Sequence, residues 1–227
     1  MATFVLIPGA GSDSWYWHLV SPQLQAAGHD VVAVDLPNDD DAAGIPEYAD
    51  VVVDAIGDRG DVVLVAQSMG GFTAGVVAGR VPTRLIVLVA AMTPAEGETP
   101  GDWWTNTGHD DAIRQQALLD GRDPDDRDPA ALFLHDVPAD VAGESSNHVT
   151  EQSGTPFDQP FPMPAWPAVP TRFLLCRDDR FFPADFQRRV VAERLGIAPD
   201  EMDGGHLPAL ARPDELAARL LAYVGAT

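Results

Sequence analysis

Asp61-Val62-Val63-Leu64-Val65-Ala66-Gln67-Ser68-Met69-Gly70-Gly71 is an unbroken apolar run that ends at a polar residue between two small ones. The run from Val62 to Ala66 is β-branched and apolar, as a strand buried on both faces requires. Met69 to Arg80 is rich in Gly and Ala and has the composition of a helix packed closely on a sheet. A serine at such a junction sits on a sharp strand-to-helix turn, which lifts its hydroxyl off the sheet edge as in a nucleophile elbow. Such a turn strains the backbone at Ser68 and demands small residues two positions before and after. Ala66 and Gly70 supply them, with alanine in place of the glycine usual at the first position.

The same alternation extends outward in both directions. Thr3–Ile7 reads as a strand stopped by Pro8-Gly9-Ala10-Gly11, and a helix from Ser14 as N-cap is predicted to run to Gly28. A second strand over His29–Leu36, a helix from Pro46 to Gly57 and a strand over Arg84–Ala90 follow. Nearly continuous apolar strands separated by helical crossovers predict an α/β fold with a mainly parallel sheet of about six strands flanked by helices. From Thr93 to Trp166 the composition turns acidic, proline-rich and aromatic, too long for an ordinary loop. Short helices near Asp110–Asp120, Pro129–Leu134 and Asp140–His148 predict a helical cap over residues 93–166, inserted in a core formed by 1–92 and 167–227. The sheet resumes at Thr171–Cys176. A helix over Pro183–Leu195, a strand near Ile197–Met202 and a last helix over Pro213–Val224 complete the pattern.

Composition excludes several functions. Acidic residues number 35 against 14 basic ones, a formal net charge of -21. Such a surface repels phosphate backbones and anionic lipid headgroups, so neither nucleic acid nor a membrane surface is an expected partner. All the basic residues are arginine, and without lysine there is neither Schiff-base chemistry at lysine nor a Walker A loop. The single cysteine, Cys176, excludes an internal disulfide and a cysteine-rich zinc site. With no signal-like segment and no apolar run of about 20 residues, a cytoplasmic location is the expectation. No metal or cofactor is called for, and assembly as a homodimer stays open.

A serine hydroxyl becomes a nucleophile when an imidazole takes its proton and a carboxylate fixes that imidazole. After the elbow, Asp178 and Asp179 lie just beyond a strand, and His206 follows Asp203-Gly204-Gly205 after the last strand. Serine, acid and histidine thus occur in the order this fold type uses. His18 and His29 precede the elbow, while His109, His135 and His148 fall in the cap. His109, next to Asp110 and Asp111, is expected in a solvated loop.

The stretches Phe4–Trp17, Ala66–Gly71, Leu132-Phe133-Leu134-His135-Asp136-Val137-Pro138-Ala139-Asp140-Val141-Ala142 and Cys176–Gln187 together resemble the plant methylesterase and hydroxynitrile lyase branch of the α/β-hydrolase fold superfamily. In methylesterase members the catalytic aspartate lies four residues before a proline, and with Pro183 that spacing selects Asp179 over Asp178. The resemblance implies a Ser68-His206-Asp179 triad with an oxyanion hole from the backbone N–H groups of Ala10 and Met69. Pro8-Gly9-Ala10 stands where the family has His-Gly-Ala, so the side-chain support of that histidine is missing. Lyase members carry a lysine directly after the catalytic histidine and a threonine in the oxyanion loop. Here those places hold Leu207 and Gly9, and a leucine cannot stabilise departing cyanide. A serine hydrolase acting on a small, largely apolar ester, lactone or thioester is therefore the expected activity. Cyanohydrin cleavage and a triad-bearing ligand receptor are the alternatives. Trp15, Trp103, Trp104 and Phe133, with Gly9 and Leu207, are the expected pocket residues; Phe72, Phe157 and Trp166 are further aromatic candidates.

Overall fold

The computed structural model describes residues 1–226. Six strands form one parallel sheet: β1 (Thr3–Ile7), β2 (Asp30–Ala33), β3 (Val62–Gln67), β4 (Thr83–Val89), β5 (Thr171–Cys176) and β6 (Asp200–Met202), in the spatial order β2-β1-β3-β4-β5-β6. Neighbouring parallel strands need crossovers, supplied here by α1 (Ser21–Ala26), α2 (Ile45–Ile56) and α3 (Gly70–Ala78). Between β4 and β5 lie α4 (Pro100–Thr107), α5 (His109–Leu119), α6 (Pro129–Phe133), α7 (Ala139–Ser145) and α8 (Thr155–Asp158). After β5 come α9 (Ala184–Leu195), α10 (Pro208–Ala211) and α11 (Pro213–Ala226). Among the described residues no helix is long and apolar enough to cross a membrane.

The unbroken apolar character of the central strands follows from burial on both faces. In β1 and β3, Phe4, Leu6, Val63 and Val65 pack on one side with Trp17, Leu24, Leu216 and Leu220. Their neighbours Val5, Ile7, Leu64 and Ala66 pack on the other with Tyr48, Val52, Phe72 and Phe186. The two-residue period of a strand divides each run between two cores, and each fully buried aliphatic side chain contributes about 1.5–3 kcal/mol. The register Ile7↔Ala66 and Gln67↔Val89 brings the carboxyl ends of β1, β3 and β4 together at one edge.

Three departures from the expected pattern have local causes. The predicted first helix is split into a 3-10 turn, Ser14–Trp17, and α1. Pro22 cannot donate to the preceding turn, and the cap is Asp13, whose side chain accepts from the Trp15 N–H, rather than Ser14. The outer strands β2 and β6 are shorter than expected: β2 pairs with β1 over Asp30–Ala33 alone, and β6 pairs with β5 over Asp200–Met202, starting just after Pro199, which has no N–H to give to a ladder. The helix α4 has no counterpart among the predicted elements, although Thr99 caps it by accepting from the Asp102 N–H and Pro100 stands at a first-turn position.

Candidate active site

Ser68 connects β3 to α3 with φ of +51°, one of three non-glycine residues at positive φ among the described residues. That conformation costs a non-glycine residue about 1–3 kcal/mol, and the surroundings hold it in place. The Ser68 N–H reaches the Val89 carbonyl at 3.4 Å, and the Ser68 carbonyl accepts from Gly71 and Met92. A Cβ at Gly70 would lie 2.7 Å from the Pro8 carbonyl oxygen, and one at Gly71 would overlap that of Met92. Glycine is thus required because the helix start is pressed against the ends of β1 and β4.

The structure brings Ser68, His206 and Asp179 together. His206 Nε2 is 3.2 Å from Ser68 Oγ, and His206 Nδ1 is 2.8 Å from Asp179 Oδ2. A carboxylate only accepts, so Nδ1 carries the proton and Nε2 is left as the acceptor for the serine hydroxyl. Asp179 Oδ1 accepts from the N–H groups of Phe181 and Phe182 at 2.8 and 2.7 Å, which fixes the carboxylate's orientation. His206 and Asp179 are each 2% exposed, dry enough to strengthen their interaction. The rings of Phe133, Phe181 and Phe182 surround the imidazole. Asp178 serves the neighbouring backbone instead. Its Oδ2 accepts from the Gly204 N–H at 3.0 Å, while its own N–H donates to the Gly204 carbonyl, bracing the loop that carries His206.

Ala10 and Met69 both border the cavity above Ser68, and neither N–H donates to a protein acceptor among the described residues. Gln67, whose role no sequence signal announced, ties these parts together. Its Nε2 donates to the His206 carbonyl at 3.0 Å, and a Cβ on Gly9 would come within 2.4 Å of its amide oxygen and 2.9 Å of Ser68 Cβ. Gly9 is therefore a packing requirement of the loop as well as part of the cavity edge.

The cavity has a volume of about 510 Å³, and among the described residues no Asp, Glu or Arg lines it. Trp15, Trp104, Phe133, Leu207 and Gly9 border it as expected, joined by Phe157, Phe181 and His148. Trp103 does not. It is 1% exposed, packs on Phe182 and Phe186 and donates Nε1 to the Thr93 carbonyl. Successive helical residues point about 100° apart, so α4 sends Trp104 to the cavity and Trp103 to the core. Phe72 and Trp166 likewise face the core cluster. His109 is buried rather than solvated, with Nε2 2.8 Å from the Phe181 carbonyl. Burial lowers its pKa to about 4, against the opposing pull of that hydrogen bond and of Asp110. Burial also pushes the Tyr16 hydroxyl and the Cys176 thiol well up, so both stay protonated. Among the described residues no group of three or more His, Cys, Asp or Glu is placed to hold a metal ion.

Comparison with known proteins gives the fold and the family. The chain is 28% identical to Methylesterase 7 of Arabidopsis thaliana over 96% of its own length and 94% of that protein's. Its fold matches that of polyneuridine aldehyde esterase with a TM-score of 0.80 at 21% identity, over 99% of both chains. It matches a pyrethroid hydrolase from Sphingobium faniae at 0.78 and 23%, over 99% of this chain and 98% of that one. The model of the alpha/beta hydrolase family matches residues 4–219. With nearly the whole length matched, the chain belongs to the alpha/beta hydrolase family.

Proposed function

We propose that the protein is a carboxylesterase-like serine hydrolase acting on small, uncharged and largely apolar carboxylic esters, lactones or thioesters. The observation that carries the proposal is the chain of contacts from Asp179 through His206 to Ser68, opening into a cavity without a charged carboxylate or guanidinium. Ser68 Oγ attacks the substrate carbonyl as His206 Nε2 takes its proton. The oxyanion of the tetrahedral intermediate is held by the N–H groups of Ala10 and Met69. Each such donor supports catalysis by about 3 kcal/mol. His206 then protonates the leaving alcohol or thiol, and the acyl group stays on Ser68. A water activated by His206 attacks the acyl-enzyme and restores the serine. Asp179 holds the imidazole in the working tautomer and stabilises its positive charge.

The relatives named above include esterases and a hydrolase by name, which supports the reaction class. Cyanohydrin cleavage lacks support because the residue after His206 is Leu207 and no lysine or arginine borders the cavity. The inserted segment contributes Trp104, Phe133, Phe157 and His148 to the cavity wall, which supports its reading as a cap over the nucleophile. The test is steady-state hydrolysis of p-nitrophenyl butyrate, with methyl esters, acyl thioesters and lactones in parallel, by wild type and Ser68→Ala. Multiple turnovers that vanish in the variant, with Ser68 labelled by a fluorophosphonate, are the expected result. No turnover of any ester class together with no labelling would remove the hydrolase reading, and ligand-induced stabilisation without turnover would favour a receptor.

A further inference from the structure

The loop Pro8–Ser12 has no histidine of its own to brace it, yet it is firmly held. The Gly11 N–H donates to Gln152 Oε1 at 2.9 Å, and the Gly11 carbonyl accepts from the Thr150 N–H at 3.0 Å. Asn38 Nδ2 donates to the Ser12 carbonyl and to Thr150 Oγ1. Gln152 Nε2 donates to the Tyr48 hydroxyl and the Ser153 carbonyl, both at 3.1 Å. With its two N–H donors engaged, the amide can present only its oxygen to Gly11. Gln152, Thr150 and Ser153 all belong to the segment between β4 and β5.

The histidine loop is held from the same segment on its opposite side. Asp136 Oδ2 accepts from the Gly205 N–H at 2.7 Å, while Asp178 holds the neighbouring Gly204 N–H at 3.0 Å. Two consecutive glycines, Gly204 at φ +111°, have more backbone freedom than any other pair, so these two carboxylates set where His206 stands. A Cβ on Gly205 would come within 2.7 Å of Asp136 Oδ1, which is why the tether is this close. Each tether also adjoins the cavity wall. Phe133 and Leu134 stand just before Asp136, and His148 and Val149 stand shortly before Gln152.

We infer that Gln152 and Asp136 are positioning residues through which the inserted segment holds the oxyanion loop and the histidine loop in register with Ser68. The inference rests on the serine-hydrolase reading. Neither side chain touches substrate, so both act on the rate of the chemical step through backbone placement, where a shift of about 1 Å can cost about a hundredfold.

The experiment compares Gln152→Leu and Asp136→Leu with Gln152→Glu and Asp136→Asn, which keep an acceptor oxygen. Readouts are kcat and KM for p-nitrophenyl butyrate, affinity for an alkylboronic acid that mimics the tetrahedral intermediate, melting temperature, and amide hydrogen exchange of residues 9–12 and 203–206. Each leucine variant is expected to lose about tenfold or more in kcat with KM within about twofold. Boronate affinity should weaken in parallel, and exchange should rise in the loop that lost its tether. Asp136→Asn should stay within about threefold of wild type, and Gln152→Glu, which keeps the acceptor for Gly11 but loses the donors to Tyr48 and Ser153, should fall less than Gln152→Leu. Leucine variants with wild-type kcat, or a fall shared equally by the acceptor-retaining variants, would overturn the inference. If wild type turns over no ester, the functional reading fails by itself, and the exchange data still decide the tethering: unchanged protection of both loops in the leucine variants would refute it.

Discussion

The two halves of the site are built by different means. On the sheet side, Ser68 is fixed almost wholly by backbone: the Val89 and Met92 peptide groups, the positive φ and the glycines at 70 and 71. On the other side, His206, Asp179 and the oxyanion loop are placed by loops held through side chains of Asp178, Gln67, His109, Asp136 and Gln152, some of them more than 60 residues away in sequence. Backbone constraint leaves a local mark on a sequence, in the form of small residues at fixed offsets. Side-chain constraint across the fold leaves none, because Gln, Asp and His are also ordinary surface residues.

The largest expected effect separates the two aspartates of the acid loop. Asp179→Asn keeps the shape but removes the acceptor that sets the His206 tautomer, and kcat should fall about 10⁴-fold. Asp178→Asn retains an oxygen for the Gly204 N–H and should lose less than about tenfold, by the modest worth of one such bond. Steady-state kinetics on p-nitrophenyl butyrate decide, and equal losses would show that Asp178 shares the catalytic charge. From the residues alone the pair is degenerate, since both follow β5 and both are acidic. The family-like spacing to Pro183 singles out Asp179, and the contact with His206 Nδ1 agrees with it.

The second effect tests the division within α4, where two adjacent tryptophans read identically in composition. Trp103→Ala removes a ring packed against Phe182 and Phe186 and should cost about 3–5 kcal/mol of stability. Trp104→Ala opens the cavity wall and should raise KM by about tenfold while leaving the melting temperature far less changed. Denaturant titration and initial rates on both variants would expose an exchange of these roles.

That contrast marks the limit of what is legible without the fold. The β1–β4 strands, the elbow and the order serine, acid, histidine can be read because hydrophobic period and glycine spacing are local. Trp103 is expected in the pocket and stands in the core because α4 leaves too weak a signal to be predicted, and without the helix there is no phase from which to tell the core side from the cavity side. Gln67, Gln152 and Asp136 are illegible for a different reason. Their meaning resides in which backbone N–H or carbonyl they reach, and the sheet order and the fold of residues 90–170 together set that. Asp136 does stand within a family-like stretch, but nothing in its neighbours points to Gly205.

A third effect, smaller again, concerns the sheet-side half alone. Gly71→Ala places a methyl against the Met92 carbonyl, a backbone atom that cannot swing away, and should cost about 2 kcal/mol of stability. Gly143→Ala, with open space around it inside α7, serves as the control and should raise stability by up to about 1 kcal/mol. Equal melting temperatures for the two variants would mean that the elbow is softer than its contacts indicate.

The smallest effect lies within the half held by side chains. His109 begins α5, and its Nε2–H donates to the carbonyl of Phe181, whose own N–H donates to Asp179. Burial depresses its folded pKa to about 4, against 6.5 for the free side chain. Between those values the unfolded chain binds a proton that the folded chain refuses, so stability contributed by neutral His109 is complete above pH 6.5 and declines as the pH falls toward 4. From about pH 7 to about pH 5.5 the loss should be about 1 kcal/mol relative to a residue that does not titrate. His109→Gln supplies that reference, since an amide N–H can still reach a carbonyl. The stability gap between wild type and His109→Gln should therefore shrink on acidification in denaturant titrations at fixed ionic strength. A gap independent of pH would mean that His109 titrates alike in both states, and that its ring is more hydrated than its place among Trp103, Trp104 and Phe182 allows. A shrinking gap accompanied by a parallel loss of kcat would go further, because it would show the acid loop following His109 and hence the inserted segment setting the position of Asp179 as well.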